Sequence, residues 1–201
     1  MRVTVIDYKA GNLTSVLKAL RHLGADVEVT ESDCALVENA ERIVLPGVGH
    51  FAATARLDQT GLTQSIRAAI SRGVPFLGIC VGMQWLYAGS SEAPQQPGLG
   101  HFKESCARFP EGHEKVPHVG WNSLEAGAKS RLLAGVSPGE FVYFTHSYKA
   151  PVSADTAATT HYIEPFASAV ERDNVFGVQF HPEKSGETGL KILRNFLEAR
   201  P

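Results

Sequence analysis

A cysteine flanked by glycines is the residue of this sequence best suited to nucleophilic chemistry. Cys80 lies in the segment Gly78-Ile79-Cys80-Val81-Gly82, after an apolar run that predicts a buried strand and before a helical pattern. This is the cysteine form of a nucleophile elbow, in which a sharp strand-to-helix turn lifts the nucleophile out of the sheet. The start of the helix favours the thiolate, and the amide of Val81 is placed to stabilise an oxyanion. The alternative is a buried structural cysteine, because free cysteines are commonly buried.

A histidine and a carboxylate on one short segment are candidates for a base and the group that orients it. His181-Pro182-Glu183 follows the strand-like run 175–180. Open α/β folds place their sites at the carboxyl ends of parallel strands, so Cys80 and His181, which each follow such a run, could converge. The alternative is a loop histidine beside a solvated glutamate. We predict a Cys80–His181–Glu183 triad in which His181 exchanges protons with the nucleophile.

A glycine-rich turn offers a second backbone donor. Pro46-Gly47-Val48-Gly49 follows the strand-like run 42–45, and its glycines allow an amide to turn toward a developing negative charge. An ordinary tight loop is the alternative for this segment. The sequence has neither a Gly-x-Gly-x-x-Gly fingerprint nor a Walker A motif, and its histidines lack metal-ligand spacing. We therefore expect no nucleotide, other cofactor or metal in this chain.

Strands alternate with helices in the segments that would hold these residues. Helical spacing of apolar residues predicts helices near 13–23, 66–71 and 190–197. Apolar runs predict strands at 3–6, 26–30, 42–45, 75–79 and 175–180. This alternation predicts one α/β domain over residues 1–201, with an open, mostly parallel sheet and helices on both faces. Mixed β-like and turn signals at 120–144 predict added antiparallel strands, and prolines and glycines at 92–100 predict a surface loop.

Composition and charge narrow the range of partners. Hydrophobic residues make up 43% and charged residues 20% of the 201 positions, which is typical of a globular protein. The net charge of −2, without a dense Lys/Arg stretch, argues against nucleic acid or an anionic membrane as the main partner. No apolar run is long enough to cross a bilayer and the N-terminal segment lacks the features of a signal peptide, so we expect a cytoplasmic location. Three widely spaced cysteines argue against a zinc site or a redox dithiol.

Motifs along nearly the whole chain resemble those of a known enzyme family. The elbow extended to Gln84, together with His181-Pro182-Glu183, is similar to the class I (triad) glutamine amidotransferases. More narrowly, the chain resembles the glutaminase subunits of imidazole glycerol phosphate synthases, from histidine biosynthesis. The blocks that carry this narrower resemblance occur in family order and are Asp7-Tyr8-Lys9-Ala10-Gly11-Asn12, Pro46-Gly47-Val48-Gly49, Pro117-His118-Val119-Gly120-Trp121-Asn122, His146-Ser147-Tyr148 and His181-Pro182-Glu183-Lys184-Ser185. The chain departs from the family in having Lys9 where glycine is usual and Trp85 where leucine is commoner.

The resemblance implies a flavodoxin-like fold and a reaction. Cys80 would attack the side-chain amide of L-glutamine, release ammonia and form a γ-glutamyl thioester that water hydrolyses to glutamate. The implied oxyanion donors are the amides of Val81 and Val48. Because glycines make this turn flexible, we also expect the Gly47–Val48 peptide to rotate and to complete the oxyanion hole only when the partner is occupied. The groups implied to hold the amino-acid end of glutamine are those of Gly49, Gln84, Glu92, Ser147 and Tyr148.

The resemblance also implies a partner, a (β/α)₈-barrel cyclase subunit that forms a heterodimer with this chain. The cyclase would use the ammonia to make imidazole glycerol phosphate and an aminoimidazole carboxamide ribotide. The residues implied to contact the barrel are Trp121, Asn122, Tyr143 and Lys184. Ammonia would pass through the interface without entering bulk solvent, so the lyase activity would belong to the complex.

Three other functions fit parts of this pattern. The glutaminase of pyridoxal phosphate synthesis has the same triad and also serves a barrel, but the block from Pro117 to Asn122 favours the histidine pathway. A non-catalytic binding subunit would not need an intact triad. A cysteine peptidase on a similar scaffold would explain neither Gln84 nor that block.

Overall fold

The secondary structure follows the alternation expected from the sequence in the first half of the chain and becomes strand-rich in the second half. The computed structural model describes residues 1–11, 13–112, 114–127 and 130–199, so Asn12 of the opening block lies outside the described residues. The α-helices of the described part are α1 (Leu13–His22), α2 (Cys34–Glu38), α3 (Ala55–Gln59), α4 (Leu62–Ser71), α5 (Val81–Trp85) and α6 (Gly186–Glu198). Its strands are β1 (Arg2–Ile6), β2 (Asp26–Thr30), β3 (Ile43–Gly47), β4 (Phe76–Cys80), β5 (Gly89–Ser90), β6 (Ser105–Arg108), β7 (His118–Ser123), β8 (Glu125–Ala126), β9 (Phe141–His146), β10 (Tyr148–Lys149), β11 (Thr156–Tyr162), β12 (Glu164–Arg172) and β13 (Val175–Val178). Short 3₁₀ helices cover Phe51–Thr54 and Pro182–Lys184.

Parallel strands form the core of the main sheet, in the order β2-β1-β3-β4-β13. With β13 counted as the fifth strand, this is the flavodoxin-like order 2-1-3-4-5. Every residue of β3 and β4 is buried. Because successive side chains of a strand point to opposite faces, both faces of the sheet are covered at these strands. The predicted fold class is confirmed, whereas the single domain over residues 1–201 stays a prediction.

Antiparallel strands extend the main sheet on one side, as β12, β11 and β8 follow β13. The long β11–β12 hairpin was not predicted from the sequence. The strands expected within 120–144 are found as β7, β8 and β9. Strand β8 joins the main sheet through β11, whereas β7 and β9 pair with each other in a separate two-stranded sheet. A further small sheet contains β10, β6 and β5. The predicted strand 175–180 ends at Val178, and the two residues that follow lead directly to His181.

The longer helices bury the apolar stripes that predicted them. Helix α1 buries Val16, Ala19 and Leu20, and the chain turns after it at Gly24, which has a φ of +81° that favours glycine. Helices α1 and α6 contact each other, while α4 contacts α2 and α3. In the described part of the chain, no helix is both long and apolar enough to cross a membrane.

Candidate active site

The backbone at Cys80 has the strained geometry of a nucleophile elbow. Cys80 is the last residue of β4 and has φ 55° and ψ −108°, a combination that costs a side-chain-bearing residue about 1–3 kcal/mol. The flanking glycines are required by close backbone contacts. A Cβ on Gly82 would overlap the carbonyl of Leu45 in β3, and a Cβ on Gly78 would overlap the carbonyl of Gly82. The Gly-x-Cys-x-Gly pattern therefore lets the chain turn tightly against two strands.

Helix α5 follows the elbow, as the sequence pattern predicted, and is short. It covers only Val81–Trp85, so the favourable effect of a helix dipole on a Cys80 thiolate is smaller than that of a full-length helix. Val81 is its first residue, and the first amides of a helix have no hydrogen-bond partner within the helix. Val81 lines the same cavity as Cys80, and the role of its amide as an oxyanion donor stays a prediction.

His181 and Glu183 form a buried pair at the end of the strand next to β4. The Nδ1 atom of His181 lies 2.8 Å from Oε1 of Glu183, and both side chains are almost fully buried. The N–H of His181 donates to the carbonyl of Tyr143 at 2.9 Å, and the hydroxyl of Ser185 donates to the carbonyl of His181 at 2.6 Å. These bonds fix the backbone around the imidazole. Since Nδ1 faces a carboxylate acceptor, Nδ1 carries the proton and Nε2 is left for the nucleophile.

The electrostatics of His181 depend on two negative neighbours. Burial lowers its pKa, but the charge of Cys80 and the hydrogen bond and charge of Glu183 together raise the pKa above its usual value. Its Nε2 atom is buried and has no hydrogen bond of ordinary geometry, although it is close enough to Cys80 to respond to that charge. The raised pKa favours the imidazolium form of His181.

One cavity brings the candidate nucleophile together with the residues predicted to hold glutamine. Its volume is about 210 Å³. It is lined by Gly49, Cys80, Val81, Gln84, Glu92, Pro117, Thr145, His146, Ser147 and Tyr148. One oxygen of Glu92 accepts a hydrogen bond from the N–H of Phe51 at 2.7 Å, which holds the carboxylate at the cavity. A larger and more open concavity of about 530 Å³ beside Asp155 and Glu171 contains none of the predicted site residues.

The glycine-rich turn lies directly beside the nucleophile, but its amide is engaged elsewhere. Gly47 is the register partner of Cys80 in the β3–β4 pair. The N–H of Val48 donates to the carbonyl of Ala10 at 2.8 Å. In this conformation that amide does not face the cavity as an oxyanion donor would, so the predicted role of Val48 stays a prediction that requires the peptide to rotate. Gly49, with a φ of +107°, gives the turn a residue that tolerates such a change.

Two buried histidines near the cavity were not predicted as site residues. The carbonyl of Tyr148 accepts a hydrogen bond from Nδ1 of His146 at 2.9 Å. Nε2 of His146 must then accept from Nδ1 of His118 at 3.1 Å, because a neutral imidazole has one donor and one acceptor. Burial lowers the pKa of His118 to about 4 and that of His146 to about 3, so both are neutral at neutral pH. Their presence in the family-like blocks was the only signal in the sequence.

Gln179 is a third residue that sequence reasoning missed. It follows β13, is completely buried, and its amide nitrogen lies 3.6 Å from Sγ of Cys80. Its spacing of two residues from His181 was the available signal, because residues i and i+2 of an extended segment share a face.

Three of the four residues predicted to contact a partner form one surface patch. The rings of Trp121 and Tyr143 are 6.1 Å apart, Nζ of Lys184 lies 5.8 Å from the centre of the Tyr143 ring, and Trp121 is 55% exposed. Asn122 is not part of this patch. Its side chain points to the other face of β7, where its amide nitrogen donates to the carbonyl of His161 at 3.1 Å.

Comparisons with known proteins show the family to which the chain belongs. The family described as glutamine amidotransferase class-I matches residues 4–199. The imidazole glycerol phosphate synthase subunit HisH of Caldanaerobacter subterraneus is 46% identical over 199 residues, covering 98% of this chain and 97% of the relative. The HisH subunit of Methanothermobacter thermautotrophicus is 47% identical over 198 residues, covering 98% of each.

A solved structure described as a glutamine amidotransferase has a TM-score of 0.76 at 20% identity, covering 98% of this chain and 97% of that one. At that identity the likeness concerns the fold alone. The family resemblance found in the sequence is confirmed by the relatives that are nearly half identical over their full length. The chain belongs to the class-I glutamine amidotransferase family and, within it, to the HisH subunits of imidazole glycerol phosphate synthase.

Proposed function

We propose that this chain is the glutaminase subunit of an imidazole glycerol phosphate synthase and acts in histidine biosynthesis. It hydrolyses L-glutamine to glutamate and ammonia and supplies the ammonia to a cyclase subunit. The observation that carries the proposal is one cavity with a strained cysteine at its edge, backed by a buried histidine–glutamate pair 2.8 Å apart. The cytoplasmic location expected from the sequence stays part of this proposal.

Cys80 forms and breaks the covalent bond in the proposed mechanism. Its thiolate attacks the side-chain carbonyl carbon of glutamine, and His181 gives a proton to the departing nitrogen, so that ammonia leaves and a γ-glutamyl thioester remains. His181 then takes a proton from water, whose oxygen attacks the thioester. The tetrahedral intermediate collapses to glutamate and the Cys80 thiolate. Glu183 orients the imidazole through its 2.8 Å contact with Nδ1 and stabilises the imidazolium.

Two backbone amides stabilise the oxyanion of each tetrahedral intermediate in this proposal. Val81 supplies one amide and Val48 the other. Because the N–H of Val48 is bonded to Ala10, the Gly47–Val48 peptide must rotate before the second donor reaches the substrate. One oxyanion donor typically changes kcat by 10²–10³-fold. If rotation of the Gly47–Val48 peptide is coupled to the partner, glutaminase activity therefore depends on the cyclase. An equal glutaminase kcat for the isolated chain and for the complex with cyclase ligand bound would rule out this gating.

The cavity supplies complementary groups for the amino-acid end of glutamine. The carboxylate of Glu92 suits the α-ammonium group, and Gly49, Gln84, Ser147 and Tyr148 line the same cavity. These contacts would place the side-chain amide of glutamine at Cys80.

A patch of aromatic and apolar side chains supports the proposed contact with a (β/α)₈-barrel cyclase. Trp121, Val119 and Phe141 on the β7–β9 pair are each more than half exposed, and Tyr143 and Lys184 adjoin Trp121. Exposed aromatic residues surrounded by polar ones are typical of protein interfaces. Tyr143 also accepts the hydrogen bond from the N–H of His181, so the patch is directly connected to the catalytic segment. Ammonia released at Cys80 would cross this interface.

Glutamate release by the purified chain tests the proposal. The assay compares the chain alone with the chain mixed with a histidine-pathway cyclase and its ligand, and Cys80→Ala serves as the control. We expect strong stimulation that the substitution removes. Absence of activity in every mixture would overturn the proposal. Stimulation only by the barrel subunit of pyridoxal phosphate synthesis would assign the chain to that pathway instead.

A further inference from the structure

A buried glutamine side chain touches the candidate nucleophile from the side opposite the glycine-rich turn. Strand β13 pairs in parallel with β4, with Val178 opposite Ile79, so the next residue, Gln179, lies beside Cys80. Gln179 is completely buried. Its N–H donates to the carbonyl of Ser168 at 2.9 Å, which continues the pairing with β12 past the end of the strand. The backbone of Gln179 is thereby fixed beside the end of β4, and its side-chain nitrogen lies 3.6 Å from Sγ.

The orientation of the Gln179 amide is determined by the carbonyl of Tyr148, to which it is linked through the side chain of Gln84. The carbonyl of Tyr148 can only accept hydrogen bonds, so the group of Gln84 that lies 2.9 Å from it is the NH₂. The same NH₂ lies 3.1 Å from the side chain of Gln179, which must present its oxygen to it. The NH₂ of Gln179 therefore faces Sγ of Cys80 at 3.6 Å. With Gln179 and Gln84 almost fully buried, water does not compete for these bonds.

We propose that Gln179 is a catalytic residue whose side-chain amide donates a hydrogen bond to the Cys80 thiolate and stabilises it as both nucleophile and leaving group. The inference rests on the proposed function and adds a residue to it. His181 and Gln179 approach the sulfur from the same extended segment, so the thiolate has one cationic and one neutral donor. Gln84 positions Gln179, and because Gln84 also lines the glutamine cavity, bound substrate and the nucleophile share one hydrogen-bonded chain.

The donor acts at two steps of the reaction. Before attack it increases the fraction of Cys80 present as thiolate, and this gain exceeds the loss in intrinsic nucleophilicity, because nucleophilicity falls less steeply than thiolate content rises. In the thioester the sulfur carries no negative charge and the bond is weak. When water attacks, the carbon–sulfur bond breaks, the electron pair returns to sulfur, and the amide of Gln179 is already in place to stabilise the charge.

The pH dependence of Cys80 alkylation tests this role directly. The full-length chain is treated with iodoacetamide over a range of pH, and mass spectrometry reports the alkylation rate of each cysteine separately. Gln179→Met keeps the length of the side chain and removes the donor. Gln179→Glu keeps an acceptor for Gln84 but places a carboxylate beside the sulfur. Cys34, which is partly exposed and contacts the carbonyl of Thr60, is the internal control.

We expect the pH at which Cys80 reaches half its maximal alkylation rate to rise by about one unit in Gln179→Met, since a hydrogen bond to a charged group changes an equilibrium by roughly tenfold or more. Gln179→Glu should raise this half-maximal pH of Cys80 further. The alkylation rate of Cys34 should be the same in the wild type and in both Gln179 variants. Near-wild-type circular dichroism of Gln179→Met ensures that a shift does not reflect unfolding. An unchanged midpoint in both variants overturns the assignment.

The outcome is separable from that of the glutaminase assay. If the wild-type chain releases glutamate with the cyclase but the Gln179 variants keep the wild-type alkylation profile, only the role of Gln179 fails. If the wild-type chain releases no glutamate in any mixture, the proposed function fails, and the alkylation midpoint still decides whether Gln179 donates to Cys80. If both the proposed function and the role of Gln179 hold, Gln179→Met should also slow thioester hydrolysis in single-turnover experiments, while Cys80→Ala abolishes the reaction.

Discussion

The positive φ of Cys80 leads to a prediction in which glycine at position 80 gives a more stable fold than alanine does. Alanine at position 80 keeps a Cβ at φ 55° and ψ −108° and therefore keeps the strain of about 1–3 kcal/mol, whereas glycine does not. Glycine also gives the unfolded chain more freedom, which costs about 0.5–1 kcal/mol. We expect the free energy of unfolding of Cys80→Gly to exceed that of Cys80→Ala by about 1 kcal/mol. Both variants should lack glutaminase activity.

Cys106 provides the matched control for this comparison. It is also buried and lies in β6, but its φ is not among the positive values of the described residues. Cys106→Gly should be less stable than Cys106→Ala by about 0.5–1 kcal/mol, because glycine within an ordinary strand is less stable than alanine. The sign of the glycine–alanine difference should thus reverse between the two cysteines.

Urea unfolding followed by circular dichroism measures these differences at neutral pH. In thermal unfolding, 1 kcal/mol corresponds to about 2–4 °C for a chain of this size. If glycine is less stable than alanine at position 80 by the same amount as at position 106, the elbow stores no strain and the reasoning is refuted.

Three further predictions concern other parts of the molecule. Buried His118 and His146, with pKa values of about 4 and about 3, stay neutral while the unfolded chain binds protons below a pKa of about 6.5. The free energy of unfolding should then fall by about 1.4 kcal/mol per pH unit for each histidine as the pH drops from 6.5 toward 4. Urea unfolding at several pH values should show that the free energy of unfolding depends less steeply on pH in His118→Phe than in the wild type. Equal pH dependence in the two proteins would contradict the assignment of a neutral, buried His118. Gly82→Ala should lose more than about 3 kcal/mol, because its Cβ would overlap the carbonyl of Leu45; a urea midpoint close to wild type would show that the elbow has room. Lys9 has a φ of +66°, so thermal unfolding should find Lys9→Gly more stable than Lys9→Ala by about 1 kcal/mol, and the reverse order would argue against strain at this loop.

The parallel sheet could be predicted from the sequence because its strands are nearly continuous apolar runs separated by amphipathic helices. The β11–β12 hairpin could not, because its residues do not form such runs. Strand β11 has the sequence TAATTHY, and β12 contains Pro165 near its start, which argues against a central strand. These segments become strands because β13 provides an edge for pairing, and strand formation depends on such tertiary context.

The closeness of Cys80 to His181 could be predicted because they lie at the carboxyl ends of β4 and β13, and such ends meet at one edge of a parallel sheet. Their catalytic roles stay a prediction. Gln179 and His146 were missed for the opposite reason. A glutamine or histidine in an extended segment has no distinctive pattern, and its partner becomes known only when the neighbouring strand and its register are known. The direction of the Val48 amide depends on backbone torsions of a glycine-rich turn, which the sequence does not specify.

The position of β13 next to β4 also determines when the protein can first act during its synthesis. These adjacent strands are about a hundred residues apart in the chain, so at 5–20 residues per second the ribosome makes Cys80 roughly 5–20 seconds before His181. Until β13 pairs with β4, a growing polypeptide contains the Cys80 thiol without the proposed base His181, the proposed orienting carboxylate of Glu183 or Gln179. In the proposed mechanism, incomplete translation products therefore cannot degrade glutamine, and hydrolysis begins only when the last parallel strand has joined the sheet.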